Sequence, residues 1–262
     1  MSSTDPNKRL QLAGHVTLTR QLLDALGREI VVGTYNSKHF PTEAEISEMY
    51  DTSRSITREA TKMLAAKGML SARRRSGIVV QPERNWSMLD ADVLRWIMER
   101  KLTPELLRAF SEMRLGIEPA AAMLAARNAN PKAIEKIERG LQRMIAAERG
   151  EDDSLASDVA FHVAILDATE NPFYVQLHEL VHTALSFSIR FTNRIGGHTA
   201  SIPAHRKVFN AIRNGDAAGA HTAMSGIIED ALKLIEAGAK KTAAKTGAKK
   251  SKPAKKSSRR AA

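Results

Sequence analysis

Residues 40–77, FPTEAEISEMYDTSRSITREATKMLAAKGMLSARRRSG, leave this chain few ways to fold. Thr42 and Glu45 stand at capping-box spacing, so a helix begins at Thr42, directly after Pro41. Asp51, Thr52 and Ser53 bring turn and N-cap chemistry. In the helix that follows, Ile56, Ala60, Met63 and Leu64 share an apolar face, leaving Arg54, Arg58, Thr61 and Lys62 on the other side. Gly68 is placed to end it, and Arg73–Gly77 makes a small basic hairpin. Between Thr52 and Arg75 there are seven Lys/Arg and one acid, Glu59. A charge run alone reads as a solvated face. Here it coincides with caps, turn and hairpin, and the combination predicts a winged helix-turn-helix whose second helix suits a major groove.

These residues also carry a resemblance. Gly33-Thr34-Tyr35, Phe40-Pro41-Thr42-Glu43, Ser53-Arg54, Arg58-Glu59-Ala60, Gly68 and Gly77 keep the order and spacing of the DNA-binding domain of the GntR family of bacterial regulators. The resemblance implies that Arg54 and Arg58 touch DNA, with Thr42, Ser53 and Ser55 in support and the loop near Gly77 reaching a minor groove. Many members carry Arg where this chain has Ala44, so that contact is expected to be absent.

A length of 262 residues suggests two domains. Without cysteine there are no disulfides and no Cys-ligated metal, and no apolar run reaches membrane-spanning length, so a cytoplasmic protein is expected. The net charge of +11 is unevenly spread. Residues 239–262 hold ten Lys/Arg and no acid, residues 1–85 are mildly basic, and the middle is slightly acidic. Ends that meet nucleic acid and a middle with another task would divide charge this way.

In chain order, residues 1–12 read as a flexible arm. Leu18, Leu22, Leu26 and Ile30 repeat every four residues in an amphipathic first helix that Gly33 can end, within a DNA-binding domain of residues 13–82. Ile78–Val80 is a short strand, and 83–88 a linker. From residue 89 to 238 the pattern is helical: a short helix over Leu89–Ile97, a long one from Thr103-Pro104 to about Arg127 with Pro119 inside it, and further helices over 131–150, 154–169, 172–196, 201–213 and 216–237. The fold class is mainly α: a winged head, then an all-α bundle of six or seven helices without a sheet. The Lys-rich residues 239–262 read as a disordered tail, able to add salt-sensitive phosphate contacts or merely to solubilise.

Within 89–238, Arg114 and Glu118 stand at i, i+4, an ordinary surface ion-pair spacing. Asp158 and His162 repeat that geometry, and His205 opens a later helix. An Asp-x-x-x-His pair with a remote His can supply three metal ligands, although such residues more often cap or pack. Glu112-Met113-Arg114 with Glu118, Asp158-x-x-Phe161-His162, Asn171-Pro172, and His205 with Gly215-Asp216 and Met224 resemble the FadR-type ligand-binding domain, often called FCD.

That resemblance implies a small-carboxylate effector beside an Asp and three His, with Arg114 pairing the effector and Glu118, Asp158, His162 and His205 around it. The fourth ligand position falls on Ile227, and His221, six residues earlier, points elsewhere. Asp158, His162 and His205 could hold zinc with water or effector, or bond the effector without metal. Arg84-Asn85-Trp86, Leu89–Trp96 and Glu118-Pro119 are similar to galactonate-responsive repressors, which implies a sugar acid such as an aldonate.

His178-Glu179-Leu180-Val181-His182 matches the HExxH zinc-protease helix, but no third ligand follows at that motif's spacing. The reading is therefore a non-enzymatic, homodimeric repressor of a sugar-acid operon, released from double-stranded DNA by its effector. The alternative is a non-specific architectural DNA-binding protein that relies on the tail.

Overall fold

The computed structural model describes residues 17–73, 77–100, 103–128, 130–196 and 201–250. The chain forms two compact units, which divide between Lys101 and Leu102. The N-terminal arm, the residues Arg74–Ser76 of the hairpin and residues 251–262 lie outside the described residues.

The first unit is built on three helices, α1 (Leu18–Val31), α2 (Glu43–Tyr50) and α3 (Arg54–Ala66), followed by strands β1 (Leu70–Arg73) and β2 (Gly77–Val80). Thr42 caps α2 in the expected capping box, its hydroxyl accepting from Glu45 N while Glu45 receives Thr42 N–H. Ser53 caps α3 through Ile56 N. Asp51 (φ 51°) ends α2 and Gly68 (φ 73°) follows the end of α3. At Gly68 a Cβ would stand 2.1 Å from the Asn85 carbonyl oxygen, so position 68 requires glycine twice over. The two strands pair antiparallel, Leu70 opposite Val80 and Arg73 opposite Gly77. Leu22, Leu26, Ile46, Leu64 and Met69 form the fully buried centre of the head.

The buried face of α3 is rotated from its expected position. Thr57 and Thr61 are buried beside Ala60 and Leu64, whereas Ile56 and Met63 are only half-buried. Threonine tolerates this because its hydroxyl finds partners. Thr57 Oγ1 lies 2.9 Å from Ser47 Oγ and 3.1 Å from Thr52 Oγ1, and Thr61 Oγ1 donates to Arg58 O at 3.0 Å.

Helix α4 (Ala91–Ile97) corrects a second expectation, since the sequence reading placed residues from 89 onward in the other domain. It belongs to the first unit. Trp96 is fully buried against Gly27 of α1, where an added Cβ would meet the indole at 2.6 Å. Its Nε1 donates to Asp24 Oδ1 at 3.0 Å. Lys67 Nζ donates to Asp90 Oδ2 at 2.7 Å and pairs with Asp92 Oδ2 at 2.9 Å, and Arg20 Nη1 donates to Asp92 Oδ2 at 2.8 Å. Burial opposes the charge on Asp92, but Arg20 and Lys67 prevail and hold its carboxyl down at about 2.

The second unit is helical throughout its described residues: α5 (Pro104–Asn128), α6 (Pro131–Glu148), α7 (Ser154–Ala168), α8 (Pro172–Val175), α9 (His178–Gly196), α10 (Ile202–Arg213) and α11 (Ala217–Lys250). The single helix expected over 172–196 is broken into α8 and α9. Helix α11 runs through Lys250, past the expected end at 237, because its alanines and lysines are strong helix formers.

Helix α7 is the centre of this bundle. Nine of its fifteen residues are buried, including Asp158, Phe161, His162 and Ile165, so it has no solvent face of ordinary width. Helix α6 packs closely on it through Gly140, where a Cβ would lie 2.8 Å from Phe161 Cα. Helix α11 lies along α5, and α10 packs against α5, α6 and α11.

Gly27→Ala tests how tightly α4 is seated. Alanine is the better helix former by about 1 kcal/mol, yet overpacking against Trp96 costs about 1–3 kcal/mol. Both tryptophans, Trp86 and Trp96, lie in the first unit, so urea unfolding followed by tryptophan fluorescence reads that unit. The expected result is a lower midpoint; a raised one would mean that the indole moves aside freely.

Candidate functional site

On the head, α3 presents Arg54, Ser55 and Arg58 to solvent, with Lys62 a turn further on. Arg58 Nε stands 3.5 Å from Glu43 Oε2 with two-thirds of its side chain exposed, a contact that water weakens readily. The hydroxyls of Thr42 and Ser53 are engaged as helix caps, so these two residues fix where α2 and α3 begin. Gly77 is exposed at φ 69°, with nothing within 4 Å of where a Cβ would sit. Of the residues expected at DNA, Ser53, Arg54, Ser55 and Arg58 lie at the start of α3 and Gly77 in the hairpin, while Thr42 lies at the start of α2. The hydroxyl contacts of Thr57 with Ser47 and with Thr52, a residue expected only in the turn, tie α2 to α3 and are not evident from the sequence. Turn-rich Ser/Thr composition was the available signal, but only the fold shows which hydroxyls meet.

In the bundle, the interior of α7 brings four charged or titratable side chains together with Arg114. Asp158 Oδ1 lies 3.4 Å from His162 Nε2 and 3.2 Å from His205 Nε2, and each of the three residues is at least nine-tenths buried. One ligand atom from each falls within 4.8 Å of the others, and among the described residues no other trio of His and acid groups does so. Asp158 Oδ1, His162 Nε2 and His205 Nε2 lack hydrogen bonds despite this closeness. They face one another at close range without hydrogen-bond alignment, an arrangement that a guest shared by all three would satisfy. Phe161 packs edge-on against both imidazoles at 5.7 and 5.2 Å, an apolar wall beside the cluster.

The outer edges of both rings are held. His205 Nδ1 lies 2.9 Å from Ser201 O, and a carbonyl can only accept, so Nδ1 carries the hydrogen and a neutral ring keeps its lone pair on Nε2. His162 Nδ1 stands 2.5 Å from Glu118 Oε2, out of line for a hydrogen bond but in close charge contact. Glu118 in turn receives Arg114 Nε at 2.5 Å and Nη2 at 3.2 Å. Arg114 and Glu118 are thus interior residues rather than the ordinary surface pair their spacing suggests.

Each charge is set by its neighbours. Burial works against ionised Glu118, but Arg114 and His162 hold it at about 2. Burial likewise opposes the Asp158 carboxylate, and its contacts with His162 and His205 keep it well below the usual range. For His162 burial favours the neutral ring, yet the Glu118 and Asp158 carboxylates outweigh it and lift the imidazole to about 9.

The donor set fits a divalent cation. One carboxylate and two imidazoles, each with an oxygen against its far edge, match what zinc and similar ions take, leaving a fourth coordination position to an exogenous ligand. Ile227 is half-buried against the apolar core and His221 is exposed, so neither supplies a ligand. The HExxH match does not assemble: His182 and Glu179 are exposed, while His178 Nε2 lies 3.0 Å from Asp167 Oδ1.

Comparison with known proteins settles what kind of molecule carries this arrangement. A family model described as "Bacterial regulatory proteins, gntR family" matches residues 18–80, and one described as "FCD domain" matches residues 109–230. The galactonate operon transcriptional repressor of Escherichia coli is 33% identical over 223 residues, 83% of this chain and 96% of that protein.

The chain belongs to the GntR family.

An uncharacterised HTH-type regulator of Escherichia coli, YieP, is 29% identical over 85% of this chain and 97% of its own. The solved structure described as "Lar controls the expression of the Listeria monocytogenes agr system and mediates virulence" aligns with a TM-score of 0.58, covering 86% of this chain and 99% of that one. At 16% identity it speaks for the fold alone. This GntR-family chain is a DNA-binding transcriptional regulator and not an enzyme, and the reading as an architectural protein gives way. Among its described residues no helix is long and apolar enough to cross a membrane.

The buried charges predict a pH response of the metal-free protein. A group whose folded value, about 9, exceeds its unfolded 6.5 stabilises fully below pH 6.5 and loses that contribution as pH climbs through 9. At about 1.4 kcal/mol per unit, the loss is on the order of 3 kcal/mol. Urea unfolding with chelator present, followed by circular dichroism between these pH values, should show the decline, and His162→Asn should flatten it.

Proposed function

We propose that this regulator represses an operon for sugar-acid breakdown and is released from its operator when a small hydroxylated carboxylate enters the helical bundle. The observation that carries the reading is the buried trio Asp158, His162 and His205, whose facing polar atoms have no hydrogen-bond partners. A soluble protein keeps such atoms unsatisfied, at about 1–3 kcal/mol each, chiefly where a guest will satisfy them. Near-full-length similarity to a galactonate operon repressor supports an aldonate as that guest.

The trio would hold a divalent cation, which would supply Lewis-acid attraction for the effector carboxylate. Arg114, whose Nε and Nη2 serve Glu118, offers Nη1 to the same anion, and His162 and His205 hydrogen-bond the effector directly where no cation is present. A two-fold dimer would place two α3 helices on a pseudo-palindromic operator, with Arg54 and Arg58 on bases or phosphates, Ser55 beside them and Gly77 at the minor groove. Thr42 and Ser53 act through their caps. The effector can shift DNA affinity only by as much as its own affinity differs between the two states.

Two measurements check this. A thermal-shift screen of aldonates and other small carboxylates, with and without chelator, should return a stabilising sugar acid. Stabilisation grows with occupancy, reaching about 2.7 kcal/mol at a hundredfold excess over Kd. An unchanged melt across all sugar acids would refute the effector class. For the head, each good base contact is worth about 1–3 kcal/mol, so Arg54→Ala, Arg58→Ala should weaken operator binding by about 30-fold or more. Full retention of preference over scrambled duplex, read by fluorescence anisotropy, would remove α3 from the interface.

A further inference from the structure

We propose that Glu118, gripped by Arg114, is a positioning residue: it holds the Nδ1 edge of His162 so that Nε2 is the nitrogen presented beside Asp158 and His205. The inference rests on reading that trio as a divalent-cation site, and goes beyond it by removing Glu118 from the effector's contacts.

Three observations support the assignment. First, each imidazole has an oxygen against its Nδ1 edge, in hydrogen-bonding geometry at His205 and as a close charge contact at His162. His205 has its Nδ1 edge against the Ser201 carbonyl at 2.9 Å, and His162 has its Nδ1 edge against Glu118 Oε2 at 2.5 Å. Holding the far nitrogen with a carbonyl or carboxylate is how proteins select the tautomer and the angle of a ligating histidine.

Second, stability does not account for the Arg114–Glu118 pair. Both residues are almost completely buried, and a buried ion pair is often no better for stability than apolar side chains of the same volume. What the pair provides that apolar residues could not is a fixed carboxylate against a ring.

Third, the charges suit this division of labour. Glu118 is an ionised carboxylate with Arg114 on one side and His162 on the other, and such a group would repel an anionic effector rather than receive it. With a divalent cation bound and both imidazoles neutral, Arg114, Glu118 and Asp158 leave the cluster with one excess positive charge. A single carboxylate neutralises it, so a monocarboxylate is the matching guest.

Cobalt titration of the full-length, chelator-stripped protein tests this, because the visible absorption of bound Co2+ reports its coordination independently of DNA binding. Wild type should bind with a band that His162→Ala and His205→Ala abolish. Glu118→Gln should weaken Co2+ binding by about 10- to 100-fold and shift the band. That change strands a buried arginine, so Arg114→Met, Glu118→Gln provides a second variant without the unpaired charge, and it should show the same weakening.

In wild type loaded with cadmium, one-bond coupling of the metal to His162 Nε2 is expected. Coupling to Nδ1, or wild-type Co2+ affinity in either folded Glu118 variant, overturns the positioning role while leaving the cation site standing. No histidine-dependent Co2+ binding in wild type overturns the cation reading itself, and the positioning role with it.

Discussion

The bundle depends on a chain of buried polar contacts running from Arg114 through Glu118, His162 and Asp158 to His205. Charges are costly in an apolar interior, and these survive because the Glu118 and Asp158 carboxylates lie against Arg114 and His162. Removing one link leaves an uncompensated charge, at about 3–5 kcal/mol for a broken buried pair. The chain crosses three helices, α5, α7 and α10, so it ties together elements that are otherwise joined by apolar packing around Phe161, Val208 and Met224. A guest arriving at Asp158 and the two histidines therefore acts on contacts that three helices share. That is a physical route for a small ligand to bias the bundle.

The head is governed by a different economy. Its reading surface is exposed and its rigidity lies underneath, in the caps of α2 and α3, the Ser47–Thr52–Thr57 hydroxyls, and the seat of Trp96 against Gly27. Arg20, Lys67, Asp90 and Asp92 fix α4 there, and the division between the units follows it.

Much of this was legible in the sequence because it is local. Thr42-x-x-Glu45, Ser53, Gly33 and Gly68 specify their caps and turns within a few residues, and Asn130-Pro131 and Asn171-Pro172 announce helix starts in the same way. The trio Asp158, His162 and His205 was named from spacing and resemblance. What escaped was set by tertiary contact. Thr57 and Thr61 read as polar, yet partners across α2 allow them inside. Asp92 and Trp96 read as the start of the next domain, because nothing local announces that Arg20 and Asp24, their partners, lie seventy-odd positions back on α1. Arg114 and Glu118 read as a surface pair until α7 covers them.

The most direct test of the account couples the two halves in one measurement: fluorescence anisotropy of operator duplex titrated with full-length protein, with and without saturating galactonate, for wild type and for Asp158→Asn. The account predicts that effector weakens wild-type binding, and that Asp158→Asn binds the bare operator normally but no longer responds. An Asp158→Asn protein that still released DNA on adding the sugar acid would contradict it, because the signal would then arise outside the buried chain.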